Sequence, residues 1–428
     1  MHTQPFIKKV LPNGVRLLLV PVPSVNSVAS AVLVGVGSRY ETPDINGISH
    51  FLEHMVFKGT AKYPTMDDVT VIERVGGLQN AYTDIDVTNY HNKVLAEDWE
   101  LGLEINKELA LHPRLEEQWV DKERDVIIEE MKRYDDEPAA KVEETFHGML
   151  YRGTKLGMRI IGEEASLRRV ASSELRSYHD VWYMPEKTVV IAAGNIDGKR
   201  VSSIEGRVSE WFSDMKGRAQ GDIEMVKETQ TAPKLEVVTK PDAQQAHLVI
   251  GLRTFARGSE DRFAWGVFNL LMGVGFTSRL FKEVREKRGL CYHVRSESSA
   301  FADVGYWDIY AGVATAKVEE ATQAILSELS KAADKGVTED EVTVAKKRLK
   351  TVLAFRSEDP EFFTEWYGRQ EVYNQPLMTL EEYIKKIDNV SKEDIHRLVR
   401  HYFKTETLNM ALVWSKGREE KLLQLLHI

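Results

Sequence analysis

The segment Gly47-Ile48-Ser49-His50-Phe51-Leu52-Glu53-His54 contains the pattern H-x-x-E-H. On a helix, His50 and His54 project from one face a turn apart, so both rings reach a single metal ion at ~2.0–2.1 Å. Glu53 then stands beside the pair, placed to take a proton from a water at that metal without being a ligand itself. The arrangement mirrors the H-E-x-x-H zinc pattern, with the acid moved to the other side of the second histidine. With 12 histidines in 428 residues, composition supplies only roughly 0.03 chance matches. Ile48, Phe51, Leu52 and Met55 make the apolar face of this helix. The pattern therefore describes a helix anchored on one side and presenting His-Glu-His on the other.

Two histidines leave a zinc site short of its usual three protein ligands. The acidic helix expected from about Leu115 to Arg133 offers candidates. Counted from Trp119, residues Glu123, Ile127 and Glu130 fall on one helical stripe with Val126, while Glu129 lies about 100° away. Carboxylates on a packing face are costly unless something positive meets them, and a metal with its histidines would supply that. Spacing alone leaves Glu123 and Glu130 both open.

The chain resembles the pitrilysin family of zinc peptidases, the inverzincins, and within it the mitochondrial processing peptidase β-subunit and its bacterial relatives. The resemblance rests on HFLEHMVFKGT, NAYTDIDVTNY, ERDVIIEEM and SRLFKEVREKRGLCY, and it spreads over nearly the whole chain. It implies one Zn²⁺ per chain, held by His50, His54 and, at a spacing of 130 − 54 = 76 residues, Glu130. It makes Glu53 the general base. It gives Glu123, seven residues before the ligand, the role of orienting a ligand or biasing the charge of the site. Asn80 and Ala81 would lie on an edge strand that pairs with an extended peptide. Arg285 and Tyr292 would bind substrate carbonyls and stabilise developing negative charge, with Arg288 the rival to Arg285. From the residues alone, Asn80 is equally a turn residue, and the Arg-Tyr pair reads as a surface arginine and a core tyrosine.

The resemblance implies a zinc endopeptidase that hydrolyses peptides or unfolded polypeptide segments inside a closed chamber. Because larger relatives join four such domains, it also implies a homodimer, or a heterodimer with an inactive paralogue. The contrasting expectation is a non-catalytic scaffold or peptide-binding subunit of the same fold.

The elements that must position these residues are legible in outline. Strand signals cover Val15 to Val20 and Ser27 to Val36, with a further strand-like region from Leu78 to Val94. Leu101, Ile105 and Leu109 mark a helix that Pro113 stops. A weak internal repeat sets VASSELRSYHDVWYMPEKTVVIAAGN from Val170 against VSKEDIHRLVRHYFKTETLNMALVWS from Val390. Each segment reads as a capped helix with an aromatic end, then an apolar strand. The expected fold is α+β: two homologous α/β halves, each a mostly antiparallel sheet covered by helices. The expected boundaries are 1–215 for the zinc-binding half, 216–241 for a polar linker, and 242–428 for the half carrying the Arg-Tyr pair.

Composition narrows the setting. There are 57 Lys+Arg and 66 Asp+Glu, a net charge of −9, which weighs against nucleic acid and favours basic peptides. No run approaches the ~20 apolar residues of a membrane helix, so no membrane insertion is expected. A single cysteine, Cys291, excludes an intramolecular disulfide and suits a reducing compartment. The start, MHTQPFIKKVLPNG, lacks the pattern of a signal or transit peptide, and the expectation is cytoplasmic.

Overall fold

Short apolar runs separated by turn residues become strands where they can pair, and here they build one sheet topology twice. The computed structural model describes residues 6–217, 223–227, 229–241, 243–415 and 419–428. The first sheet contains β1 (Ile7–Val10), β2 (Arg16–Pro21), β3 (Ser27–Val34), β4 (Leu78–Thr83), β5 (Thr88–Leu95) and β6 (Thr188–Gly194), in the order β1-β2-β6-β3-β5-β4. The second contains β7 (Lys234–Thr239), β8 (Gln245–Thr254), β9 (Cys291–Ala300), β10 (Gly305–Ala314) and β11 (Asn409–Trp414), in the order β7-β11-β8-β10-β9. Leaving β1 aside, the two orders correspond strand for strand. Each sheet has one parallel pair, β2 with β6 and β7 with β11, and is otherwise antiparallel.

The helices that matter for the site and the repeat are α1 (Ile48–Val56), α2 (Glu117–Asp136), α3 (Pro138–Leu150), α4 (Ser172–Trp182), α5 (Pro360–Val372) and α6 (Lys392–Tyr402). Helix α4 precedes β6 as α6 precedes β11, in the register of the repeat. The aligned acids do the same work. Glu174 accepts from the Ala171 N–H at 3.1 Å, and Asp394 from the Ser391 N–H at 3.0 Å, each closing the first turn of its helix.

By packing, the chain forms two units. One comprises 1–131, 158–224 and 353–381; the other comprises 132–157, 225–352 and 382–428. These bounds differ from a division at 215 and 242, because α3 packs on β8 and β11 while α5 packs on β3 and β6. Strands β3 and β6 are buried almost throughout, so both of their faces need cover. Gly368 of α5 allows close approach, since a Cβ there would come within 2.9 Å of the Leu33 side chain.

Three expectations are revised. The segment 216–241 holds β7, whose Leu235 to Val238 pair in parallel with Met410 to Val413; positions 218–222 and 228 of that segment, and residue 242, lie outside the described residues. The region Leu78 to Val94 is two strands, closed where the Asp84 N–H donates to the Val87 carbonyl at 2.8 Å. Helix α2 starts at Glu117, because Leu115 takes a φ of 49°, and Val126, expected on the packing stripe, is 50% exposed. Among the described residues, no helix is long and apolar enough to cross a membrane.

Candidate active site

Helix α1 buries Ile48, Phe51, Leu52 and Met55 completely or nearly so, which leaves His50, Glu53 and His54 on the side away from that core. Gly47 begins it with a φ of 94°, and a Cβ there would meet the Ile161 carbonyl oxygen at 2.7 Å, so only glycine fits. Having no side chain, Gly47 cannot cap the helix, and Glu41 does so from outside. Its Oε2 accepts from the Gly47 N–H at 2.7 Å and the Asn46 amide at 2.9 Å, and its Oε1 accepts from the Ser49 N–H at 2.9 Å.

Glu41 is 0% exposed. Burial pushes its carboxyl up to about 7 despite the hydrogen bonds from Gly47, Ser49 and Asn46. Between its ordinary value and about 7 the folded chain therefore holds a proton that the unfolded chain has lost. The group's contribution to stability is full below that window and declines as pH rises through it. Glu41→Ala strips the acceptor from three donors and is expected to cost roughly 3 kcal/mol. Urea denaturation should show a larger deficit at pH 5 than at pH 8. A deficit that grows with pH would contradict the raised value.

His50, His54 and Glu130 each offer a ligand atom, and these atoms all lie within 4.8 Å of one another. Glu130 Oε2 is 3.9 Å from His50 Nε2 and 3.5 Å from His54 Nε2. Ligand atoms around a tetrahedral zinc ion with bonds of ~2.0–2.1 Å stand roughly 3.3 Å apart, so little movement would seat one ion. Burial, then the neighbouring His54, lowers His50 to about 3, leaving it neutral as a ligand must be. His50 Nδ1 is buried with no hydrogen-bond partner among the described residues. Two imidazoles and one carboxylate are a zinc donor set with one position left open, and these residues fit the metal.

Glu53 is held next to this set rather than in it. Burial raises its carboxyl to about 7; the charge of His54 opposes that shift and the charge of Glu130 adds to it. Behind His54, Glu123 Oε2 meets Nδ1 at 3.3 Å, and Glu123 Oε1 meets Lys58 Nζ at 2.6 Å. Burial alone would raise Glu123, but the bonds from His54 and Lys58 bring it below the ordinary carboxylate range.

Among the described residues, strand β4 is the edge of its sheet and pairs with β5 alone, Asn80 opposite His91 and Ala81 opposite Tyr90. It lies beside α1, where the Thr83 hydroxyl reaches the Ser49 carbonyl at 3.5 Å. Asn80 is exposed, and its side-chain oxygen accepts from the Ala81 N–H at 2.9 Å; Ala81 points into the core.

Arg285 and Tyr292 belong to the other unit and meet there. The guanidinium stands 4.9 Å from the centre of the Tyr292 ring and 4.8 Å from that of Phe281, and Tyr292 is 79% exposed. Arg288 is instead engaged by Glu283, at 3.0 Å and 2.9 Å. Arg285 is thus the arginine that Tyr292 accompanies. Tyr292, read from the residues alone as a core tyrosine, is at the surface.

Two residues of the site escaped the sequence reading. Glu41 carries no local signal, since it reaches the helix through a loop. Lys58 carries one, falling four residues after His54 and eight after His50.

A helix presents two histidines and a glutamate to a second acidic helix, next to an open sheet edge, and the donor set suits a zinc ion. Residues 16–164 match insulinase-type peptidases (peptidase family M16), and residues 169–349 match the M16 inactive domain. An uncharacterized zinc protease of Bacillus subtilis is 34% identical over 95% of this chain and 97% of its own length. Another, from Mycobacterium tuberculosis, is 34% identical over 92% of this chain and 90% of its own. The chain belongs to peptidase family M16.

Its fold matches that of a protease from Helicobacter pylori, with a TM-score of 0.89 and 23% identity over 96% of this chain and 99% of that one. It also matches the periplasmic protease PqqL from Escherichia coli, with a TM-score of 0.80 and 19% identity over 99% of this chain but 50% of that one.

Proposed function

We propose that this chain is a zinc-dependent endopeptidase that hydrolyses peptides or unfolded polypeptide segments. The observation that carries the proposal is the convergence of His50, His54 and Glu130 with Glu53 beside them. His50, His54 and Glu130 would hold the zinc ion, which when bound polarises the scissile carbonyl and makes the attacking water more acidic. Glu53 takes the proton from that water and passes it to the leaving nitrogen, each transfer needing a carboxyl that loses and regains a proton near neutral pH.

The free edge of β4, with Asn80 and Ala81, takes the substrate as an added strand. Main-chain pairing of that kind accepts varied sequences. Arg285 and Tyr292 bind substrate carbonyls. PqqL spans about twice this length, and two copies of this chain would make a unit of that size; a single cysteine suits such a unit to the reducing cytoplasm.

The test is cleavage of an unstructured, quenched-fluorescent peptide before and after 1,10-phenanthroline, with zinc restored at the end. Loss and recovery of cleavage is expected. Cleavage that ignores the chelator, or none from zinc-loaded protein, overturns the proposal.

A further inference from the structure

Helix α1 ends at Val56, and Lys58 follows it with its side chain only 18% exposed. A freely solvated lysine in a surface ion pair contributes little. This one is folded inward onto a single carboxylate, and that carboxylate is the one bound to His54. Both oxygens of Glu123 are engaged: Oε1 by the Lys58 ammonium at 2.6 Å, and Oε2 by His54 Nδ1 at 3.3 Å.

We propose that Lys58 is a positioning residue for zinc capture: it anchors the Glu123 carboxylate against the Nδ1–H of His54, so that Nε2 of His54 keeps its lone pair turned toward Glu130. The inference rests on the zinc reading of the site and extends it to a residue that touches neither metal nor substrate.

The chemistry asks for such an anchor. A ligating imidazole needs its other nitrogen held, because that bond sets both the tautomer and the ring angle. Glu123 is 7% exposed and, with Glu53 and Glu130, is one of three carboxylates around His54. A buried carboxylate among two others, without a cation of its own, is costly where it stands and is drawn toward any metal nearby. Lys58 removes both difficulties, and its place just past the end of α1 is where the helix favours a cation.

The test compares zinc dissociation constants, by competition with a chromophoric chelator, for wild type, Lys58→Met, Glu123→Gln and the double variant. Lys58→Met keeps the length of the stem and removes the charge. It is expected to weaken zinc binding about 10–100-fold, the range for groups that orient a ligand. In the Glu123→Gln background the same change should weaken binding no further, because the lysine acts through that carboxylate. Lys58→Arg should restore part of the loss. The zinc-free form of Lys58→Met should melt below that of the wild type, because Glu123 is left buried without its cation, so zinc affinity on the folded protein is the deciding readout.

Equal zinc affinity in wild type and Lys58→Met overturns the proposal and leaves the zinc site standing. So does an equal loss with and without Glu123, or a drop in zinc-free melting with affinity unchanged. Failure of the wild type itself to bind zinc overturns both the proposal and the reading beneath it.

Discussion

Glu53→Gln is expected to bind zinc as tightly as the wild type and to hydrolyse an unstructured peptide roughly 10²–10⁴-fold more slowly. Glu53 comes from the same turn of α1 as His54 but lies outside the set of three converging donors, so replacing its carboxylate leaves the metal's contacts in place. Glutamine has nearly the same size and keeps the apolar face of the helix seated. What it loses is the capacity to take up and release a proton.

The surroundings of Glu53 act on its protonation. Burial lifts the carboxyl to about 7, with His54 pulling it down and Glu130 pushing it up. Zinc content measured beside steady-state rates separates the two roles. Metal retained with kcat collapsed is the expected pair. Near-normal turnover by zinc-loaded Glu53→Gln would remove Glu53 from the reaction.

The centre of this site was legible because it lies on two helices, where periodicity alone says which residues share a face. Four-residue spacing set His50 with His54. The stripe from Trp119 set Glu123 with Glu130, and the structure brings both acids to the histidines in different places. Spacing could not say which acid faces the metal position, and the family resemblance made that choice. The repeat was legible for the same reason: a capped helix followed by an apolar strand is a local pattern, and it recurs in register.

What the sequence hid depends on contacts between distant segments. Glu41 caps α1 through a carboxylate several residues upstream of a glycine, and no propensity marks it. The packing of α3 on β8 and of α5 on β3 is set by which sheet face lacks cover, a property of the assembled sheet. Strand β7 is Leu-Glu-Val-Val inside a stretch rich in Lys, Thr and Pro, and it becomes a strand because β11 offers a parallel edge. Arg285 and Arg288 look alike in sequence. They differ because Glu283 holds one of them and Tyr292 stands beside the other.

His54→Ala carries the other large effect, on metal and on stability together. The mutation removes one of three donors and also the group that Glu123 meets at 3.3 Å. Zinc affinity should fall by more than ~100-fold, beyond what loss of an orienting group produces. For the wild type, zinc at a thousandfold excess over its dissociation constant adds about 4 kcal/mol to the folded state, because the unfolded chain has no assembled site. Chelation should therefore lower the wild-type melting temperature, and restored zinc should raise it again. His54→Ala should melt near the zinc-free wild type and ignore both additions. The site predicts this insensitivity, since His50 and Glu130 alone stand 3.9 Å apart and leave half of a tetrahedron empty. Zinc bound one-to-one by His54→Ala at wild-type strength would mean that another group completes the site, and the ligand set would have to be drawn again.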